Sequence, residues 1–266
     1  MAGGGSMADL PLYPEIIRNI SVLSERSMGF WEDPAQSPVN NATYEIQKNR
    51  PYVTLTYAQS LDGAIAARPG HSLALSCRES QTMTHTLRAR HDAILVGIGT
   101  VLADNPSLTV RLVEGKNPQP VILDSRLRFP LYAKLLRQTN HAPWIITSFE
   151  AEPERQAALE SLGARVYRLP SGENGGIELN ELLHMLGEQG VESLMVEGGA
   201  QIITSFLGYQ VVDQIIVTIA PVLVGGVRVL DILHQPRPKK FPRLVNVEYQ
   251  RIGGDLVVRG FPDWQV

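Results

Sequence analysis

The segment from Asp92 to Arg111, DAILVGIGTVLADNPSLTVR, concentrates residue types that can hold a polar ligand. Ala93, Ile94, Leu95 and Val96 form a short buried-strand pattern that breaks at Gly97 and Gly99; Thr100 and Asp104 follow, ahead of a second turn at Asn105-Pro106. A strand ending in small residues and a hydroxyl leaves backbone N–H groups open. Such a turn can hold a phosphate or a nucleotide, and it can equally be an ordinary strand-turn-helix connection. A second place of this kind is Glu197-Gly198-Gly199-Ala200-Gln201-Ile202, after the apolar run that ends at Val196. Its glycines permit close backbone approach, and a helix opening there offers N–H groups to a pyrophosphate. The run is not GxGxxG, and a plain turn accounts for it as well.

Other residues carry usable chemistry singly. Asp62 in SLDG is the obvious carboxylate for proton transfer, although Asp-Gly is also a turn signal. Arg88 and Arg111 carry planar forks suited to bidentate phosphate recognition; each alone also reads as a solvated surface charge. Thr100 suits a helix N-cap as readily as a ligand contact. The six histidines show no HxxxH or HExxH spacing, so metal ligation is not expected.

Four runs stand in a fixed order: TYAQSLDG (Thr56 to Gly63), LRARHDAILVGIGTVLADNPSLTVR (Leu87 to Arg111), LDSRLRFP (Leu123 to Pro130) and VEGGAQI (Val196 to Ile202). Each is weak alone. Together, from about Pro51 to Gly260, the chain resembles the reductases of riboflavin biosynthesis. The resemblance implies NADPH-dependent reduction of the ribosyl group of a small pyrimidine nucleotide, 2,5-diamino-6-ribosylamino-4(3H)-pyrimidinone 5′-phosphate, to ribityl. It also implies a dihydrofolate-reductase-like fold and a homodimer. Carried onto this sequence, cofactor contacts fall at Ala58, Ala74, Thr100, Asp104, Ser148, Gly198, Gly199, Ala200, Gln201 and Ile202, with the pyrophosphate at Gly198 to Ile203. Substrate contacts fall at Ser72, Arg88, Leu108, Arg111 and Glu197, the two arginines taking the 5′-phosphate. Asp62 and Glu197 are the catalytic candidates. At the position of Ala74 bacterial relatives can carry a tryptophan, so stacking there differs. Glu150 and Glu152 beside Ser148 would repel a 2′-phosphate, so the preference for NADP over NAD rests on the resemblance. Bacterial relatives fuse this domain to a zinc deaminase bearing HxE and PCxxC, and neither motif occurs here. The chain therefore resembles the stand-alone form of fungi and archaea. The alternatives are reduction of the deaminated pyrimidine, and a catalytically silent nucleotide-binding scaffold.

The elements that must position these residues follow from pattern. A strand at Val53–Tyr57, a helix from about Glu79 to Arg90, strands at Ala93–Val96, Val121–Asp124 and Trp144–Thr147, an acidic helix to Leu162, a strand at Arg165–Leu169, a helix from about Glu178 to Gln189 and a strand at Ser193–Val196 alternate along the chain. Short strands alternating with longer helices predict an α/β domain with a mostly parallel sheet flanked by helices. After Asp213 come β-runs at Gln214–Ala220, Val245–Ile252 and Leu256–Arg259. The last two join through Gly253-Gly254 and predict an antiparallel hairpin at the sheet edge. The reductase domain is expected over residues 51–262, preceded by an extension (7–50) with a short helix near Glu15 to Glu25, and by a tag-like or flexible leader (1–6).

A chain of 266 residues, 44% of them hydrophobic, can bury a sizeable core. Its net charge of −3 offers no basic field for nucleic acid or a membrane surface, so any phosphate must be met by a few placed groups. The lone Cys77 excludes an internal disulfide framework and a cysteine-cluster zinc site. With no apolar run long enough to span a bilayer and no secretory leader pattern, a soluble cytoplasmic protein is expected.

Overall fold

The structure is a computed structural model that describes residues 49–71, 73–137, 141–172, 175–230 and 242–264. The expected helix near Glu15 to Glu25, and all but the last two residues of the expected extension, lie outside the described residues. In chain order the elements are β1 (Tyr52–Ser60), β2 (Ala64–Ala66), α1 (Arg78–Arg90), β3 (Ala93–Gly97), α2 (Ile98–Asp104), β4 (Gln119–Leu123), β5 (Trp144–Ser148), α3 (Pro153–Ser161), β6 (Arg165–Leu169), α4 (Leu179–Glu188), β7 (Ser193–Val196), α5 (Ala200–Gly208), β8 (Gln214–Ala220), β9 (Val227–Arg228), β10 (Arg243–Ile252) and β11 (Asp255–Asp263).

Nine strands form one sheet in the order β10-β11-β8-β1-β7-β3-β4-β5-β6, and β2 pairs with β9 apart from it. From β8 through to β6 every pairing is parallel. The β10–β11 hairpin adds antiparallel to β8 at one edge. The expected mixed, mostly parallel sheet with a C-terminal antiparallel hairpin is the architecture built. Strands covered on both faces must be apolar at successive positions, and the two faces feed two cores. Leu95, Val121 and Ile146 pack with Leu182 and Leu186 of α4 and Phe206 of α5, whereas Ile94, Val96, Ile122 and Ile145 pack with Val101 of α2 and Leu159 of α3.

Two features prepare the site. Strand β7 ends at Val196, level with Leu55, while β1 runs on to Ser60 alongside β8. The step uncovers Thr56 to Ala58 beside the carboxyl ends of β7, β3 and β4, the edge at which open α/β sheets take their ligands. The helix after β3 starts at Ile98 with Gly97 as its N-cap, one turn earlier than an N-cap at Thr100 requires. The β2–β9 pair, three residues against two, is too short to leave a period in the sequence.

Candidate active site

A cleft of ≈ 1180 Å³ opens over this edge, and the sequence-derived candidates Ala58, Ala74, Arg88, Thr100, Asp104, Arg111, Glu197, Gly198, Gly199, Ala200, Gln201 and Ile202 all line it. Residues from Ala58 to Ile202 are thus gathered from five separate stretches of chain.

One side of the cleft is the start of α5. Its N-cap is Gly199, which supplies no side-chain cap, so the first-turn N–H groups lack a capping side chain. A Cβ built on Gly199 meets nothing within 4 Å, whereas one on Gly198 would lie 2.4 Å from Ile202 Cβ. Ile202 also sits where a Cβ of Gly97 would be, at 2.8 Å. The two glycines therefore have different physical reasons. Gly198 and Gly97 let α5 nest against the end of β3, and Gly199 keeps the helix N-terminus open to a bound group.

Another part of the cleft wall is a polar stripe of α1. Gln81, Thr84, His85 and Arg88, at helical spacing, all line the cleft. Arg88 is not a free fork: Nε donates to Glu197 Oε1 and Nη2 to Glu197 Oε2, each at 2.7 Å, and Nη1 donates to the Thr109 carbonyl at 3.3 Å. Burial opposes the Arg88 charge, but pairing with Glu197 outweighs it and holds the guanidinium protonated. His85 accepts the Arg111 N–H on Nδ1 at 2.9 Å. Burial, then the charges of Arg88 and Arg111, push the His85 pKa down, so the ring is neutral and its proton sits on Nε2.

Other candidates are placed elsewhere. Asp62 is outside the cleft lining. Its carboxylate accepts from Ser60 Oγ (2.5 Å) and from the Val224 (3.0 Å) and Gly225 (2.6 Å) amides, tying the turn after β1 to the chain before β9. The Ser60 bond, followed by those amides, lowers its pKa to about 2, which makes it a poor proton donor. Ser148 is buried, and its hydroxyl donates to the Ser125 carbonyl at 2.9 Å, so it braces the neighbouring loop instead of facing the cleft. Leu108 adopts φ 52° and its side chain belongs to the core beneath. Ser72 lies outside the described residues.

The residues missed in sequence explain these departures. Ser125, Arg126 and Arg128, from the LDSRLRFP run, line the cleft where Ser148 was expected. Asp124 frames them: its Oδ2 accepts the Phe129 N–H at 2.8 Å, and burial pushes its pKa up. The run signalled itself only as a marker, since serine and two exposed arginines carry no period. Tyr57, also lining the cleft, has its phenol pKa raised by burial.

The family model for the RibD C-terminal domain matches residues 51–258. The chain belongs to the RibD C-terminal domain family. The 2,5-diamino-6-ribosylamino-4(3H)-pyrimidinone 5′-phosphate reductase of Debaryomyces hansenii is 42% identical over 191 residues, covering 66% of this chain and 77% of the relative. The solved riboflavin biosynthesis reductase Rib7 of Saccharomyces cerevisiae superposes with a TM-score of 0.65 at 29% identity, covering 80% of this chain and 90% of that one. The RibD structure of Acinetobacter baumannii gives a TM-score of 0.65 at 26% identity, covering 81% of this chain and only 58% of the RibD chain. A RibD C-terminal domain therefore spans residues 51–258 here, and the cleft is that domain's.

Proposed function

We propose that this RibD C-terminal domain is an NADPH-dependent reductase of riboflavin biosynthesis that converts 2,5-diamino-6-ribosylamino-4(3H)-pyrimidinone 5′-phosphate to its ribityl counterpart. The Debaryomyces hansenii relative bears the name of that reaction. The observation that carries the proposal is one cleft with two chemically different sides: an uncapped helix N-terminus at Gly199 and a polar α1 stripe carrying Arg88 and His85.

The residues present fit a phosphorylated nicotinamide dinucleotide. Gly199 leaves backbone room for a pyrophosphate, and the α5 N–H groups complement its charge. Ser125, Arg126 and Arg128 supply a hydroxyl and two cations for a 2′-phosphate. Glu150 and Glu152, the groups expected to repel it, are not in the cleft lining, and Glu150 accepts instead from Ser171 Oγ at 3.1 Å. Thr100 and Asp104 on α2 offer polar contacts to the same ligand. When bound, the cofactor supplies hydride for the reduction. The protein's share is orientation and field. Arg88 holds Glu197 at the strand end, ready to accept from substrate hydroxyl or amino groups, and Arg111 meets the substrate phosphate.

We further infer a cytoplasmic homodimer. Strand β10 is a sheet edge with Val245 and Tyr249 exposed, a surface that a second copy would cover. No described helix is long and apolar enough to cross a membrane.

The test is cofactor oxidation with the diamino and the deaminated substrates in parallel, using NADPH and NADH. The diamino compound with NADPH is expected to turn over fastest. Preference for the deaminated compound would reassign the substrate, and no oxidation with either would favour a scaffold.

A further inference from the structure

Among the described residues, His85 is one of the few polar side chains that are buried and yet part of the cleft wall. It projects from the α1 stripe one turn before Arg88. Its Nδ1 is committed to the Arg111 amide, which leaves Nε2 as the ring's donor. Arg88, the arginine of α1 that lines the cleft, is committed to Glu197 through both of its fork bonds. That pair is electrically balanced. The local excess charge on this side is the exposed Arg111 guanidinium, and a phosphate monoester drawn to it needs further donors.

We propose that His85 is a substrate-binding residue that, with Arg111, clamps the phosphate of the substrate: Arg111 supplies the charge and His85 Nε2–H a neutral, directional donor. This rests on the reductase assignment of the cleft and replaces Arg88 as the second phosphate ligand. A neutral imidazole suits the place because a second free cation beside Arg88 and Arg111 would repel both. The bond to the Arg111 amide also fixes which way the ring faces, so the donor is oriented before the ligand arrives. The same chemistry could serve a cofactor phosphate. The Ser125–Arg128 loop and the α5 N-terminus already provide for that ligand, which leaves the His85 side for the substrate.

Two substitutions separate holding Arg111 from touching the ligand. In His85→Asn the amide oxygen stands where Nδ1 stood and keeps the Arg111 bond, but the Nε2–H is gone. In His85→Gln an N–H reaches the Nε2 position while the Nδ1 acceptor is lost. With the diamino substrate, His85→Asn is expected to raise KM by about tenfold, the loss of one hydrogen bond to a charged group. Its cofactor Kd should stay within about twofold, and His85→Gln should recover part of the KM. A wild-type KM in His85→Asn, or a KM unchanged while the NADPH Kd rises, overturns the proposal. A second measurement needs neither variant nor turnover: the His85 imidazole resonances of the wild-type protein followed by NMR during titration with ribose 5-phosphate and, separately, ribose. A shift with the phosphate alone supports the clamp. No shift at concentrations where ribose 5-phosphate binding is saturated, or an equal shift with ribose, removes it. Failure of the wild-type protein to reduce either pyrimidine would sink the reductase assignment, while the ribose 5-phosphate titration would still decide for or against His85.

Discussion

Arg88 and Glu197 lie 109 residues apart in the chain and meet through two parallel hydrogen bonds of 2.7 Å. The pair joins α1 to the turn after β7, so the two sides of the cleft are held in register by charge. Their side chains are only 13% and 19% exposed, which places the pair between a solvated surface bridge and a buried one. Removing either partner strands the other. Arg88→Ala and Glu197→Ala should each lower unfolding free energy by about 2–4 kcal/mol. The double variant should cost clearly less than their sum. Urea unfolding of the three variants checks this, and strict additivity would mean the two groups are independently solvated.

Gly198 and Gly199 predict opposite outcomes from neighbouring positions. A Cβ at Gly199 meets nothing within 4 Å, so Gly199→Val should largely retain thermal stability while the NADPH Kd rises by the equivalent of about 1–3 kcal/mol. Gly198→Ala meets Ile202 and should unfold at lower temperature before cofactor affinity is considered. Fluorescence titration with NADPH beside a thermal melt separates the two. Unchanged cofactor affinity in a folded Gly199→Val protein would remove α5 from the binding site.

Arg126 lines the cleft from an exposed position in the loop that Asp124 frames. Arg126→Ala should weaken NADPH by about 1–2 kcal/mol, a hydrogen bond to phosphate discounted for solvent, and leave NADH nearly unchanged. Equal losses for both cofactors would place the arginine away from a 2′-phosphate.

The sheet was legible because its physics is repetitive: short apolar runs such as Ala93–Val96 and Leu194–Val196, bounded by turn residues, read as buried strands, and the helices between them call for parallel pairing. The ends of those strands were legible as turns with open N–H groups, which is why Gly198, Gly199, Thr100 and Asp104 fell together. What sequence could not supply was pairing across the chain. Nothing local to Arg88 says that Glu197 occupies its fork, and nothing local to Asp62 says that the Val224 and Gly225 amides consume its carboxylate. Ser148 misled for a related reason. A serine after a strand marks the right edge of the sheet, but the hydroxyl points into a neighbouring carbonyl and the adjacent loop, with Ser125, meets the cleft. His85 was hidden by being one polar residue in a helix whose spacing Gln81, Thr84, His85, Arg88 shows the stripe only once the helix is known to face a cleft.

His91 makes stability depend on pH. It is buried, with Nδ1 2.7 Å from the Leu87 carbonyl and Nε2 3.0 Å from Thr54 Oγ1. Burial lowers its pKa from 6.5 despite the Leu87 bond and the nearby carboxylates of Asp92 and Glu197. The unfolded ring therefore binds a proton that the folded ring refuses. The stabilisation is present above the unfolded pKa and is lost as pH falls below it, with a slope of up to about 1.4 kcal/mol per pH unit. His85, also lowered, adds the same sign. Urea midpoints between pH 8 and pH 5.5 should fall accordingly, and a folded His91→Gln variant should show a shallower dependence. An unaltered slope in that variant would mean that His91 accepts its proton without strain.

Asp62 separates anchoring from proton transfer. With its pKa lowered to about 2 by the Ser60 hydroxyl and the Val224 and Gly225 amides, it stays ionised throughout the working range and accepts hydrogen bonds only. A depressed carboxylate stabilises the fold above its unfolded value of 3.8 and loses that contribution as pH falls toward 2, so it titrates nothing between pH 5 and pH 9. Its bonds steady the chain leading to Val227, and Val227 with Ala66 walls the cleft. Asp62→Asn should therefore raise KM modestly, leave kcat within about threefold, and give a pH profile of kcat/KM parallel to the wild type. A general acid or base is worth about 10²- to 10⁴-fold in rate. Loss of that size in a folded Asp62→Asn protein, with one limb of the profile missing, would return Asp62 to the chemistry and require the loop to open before the reaction.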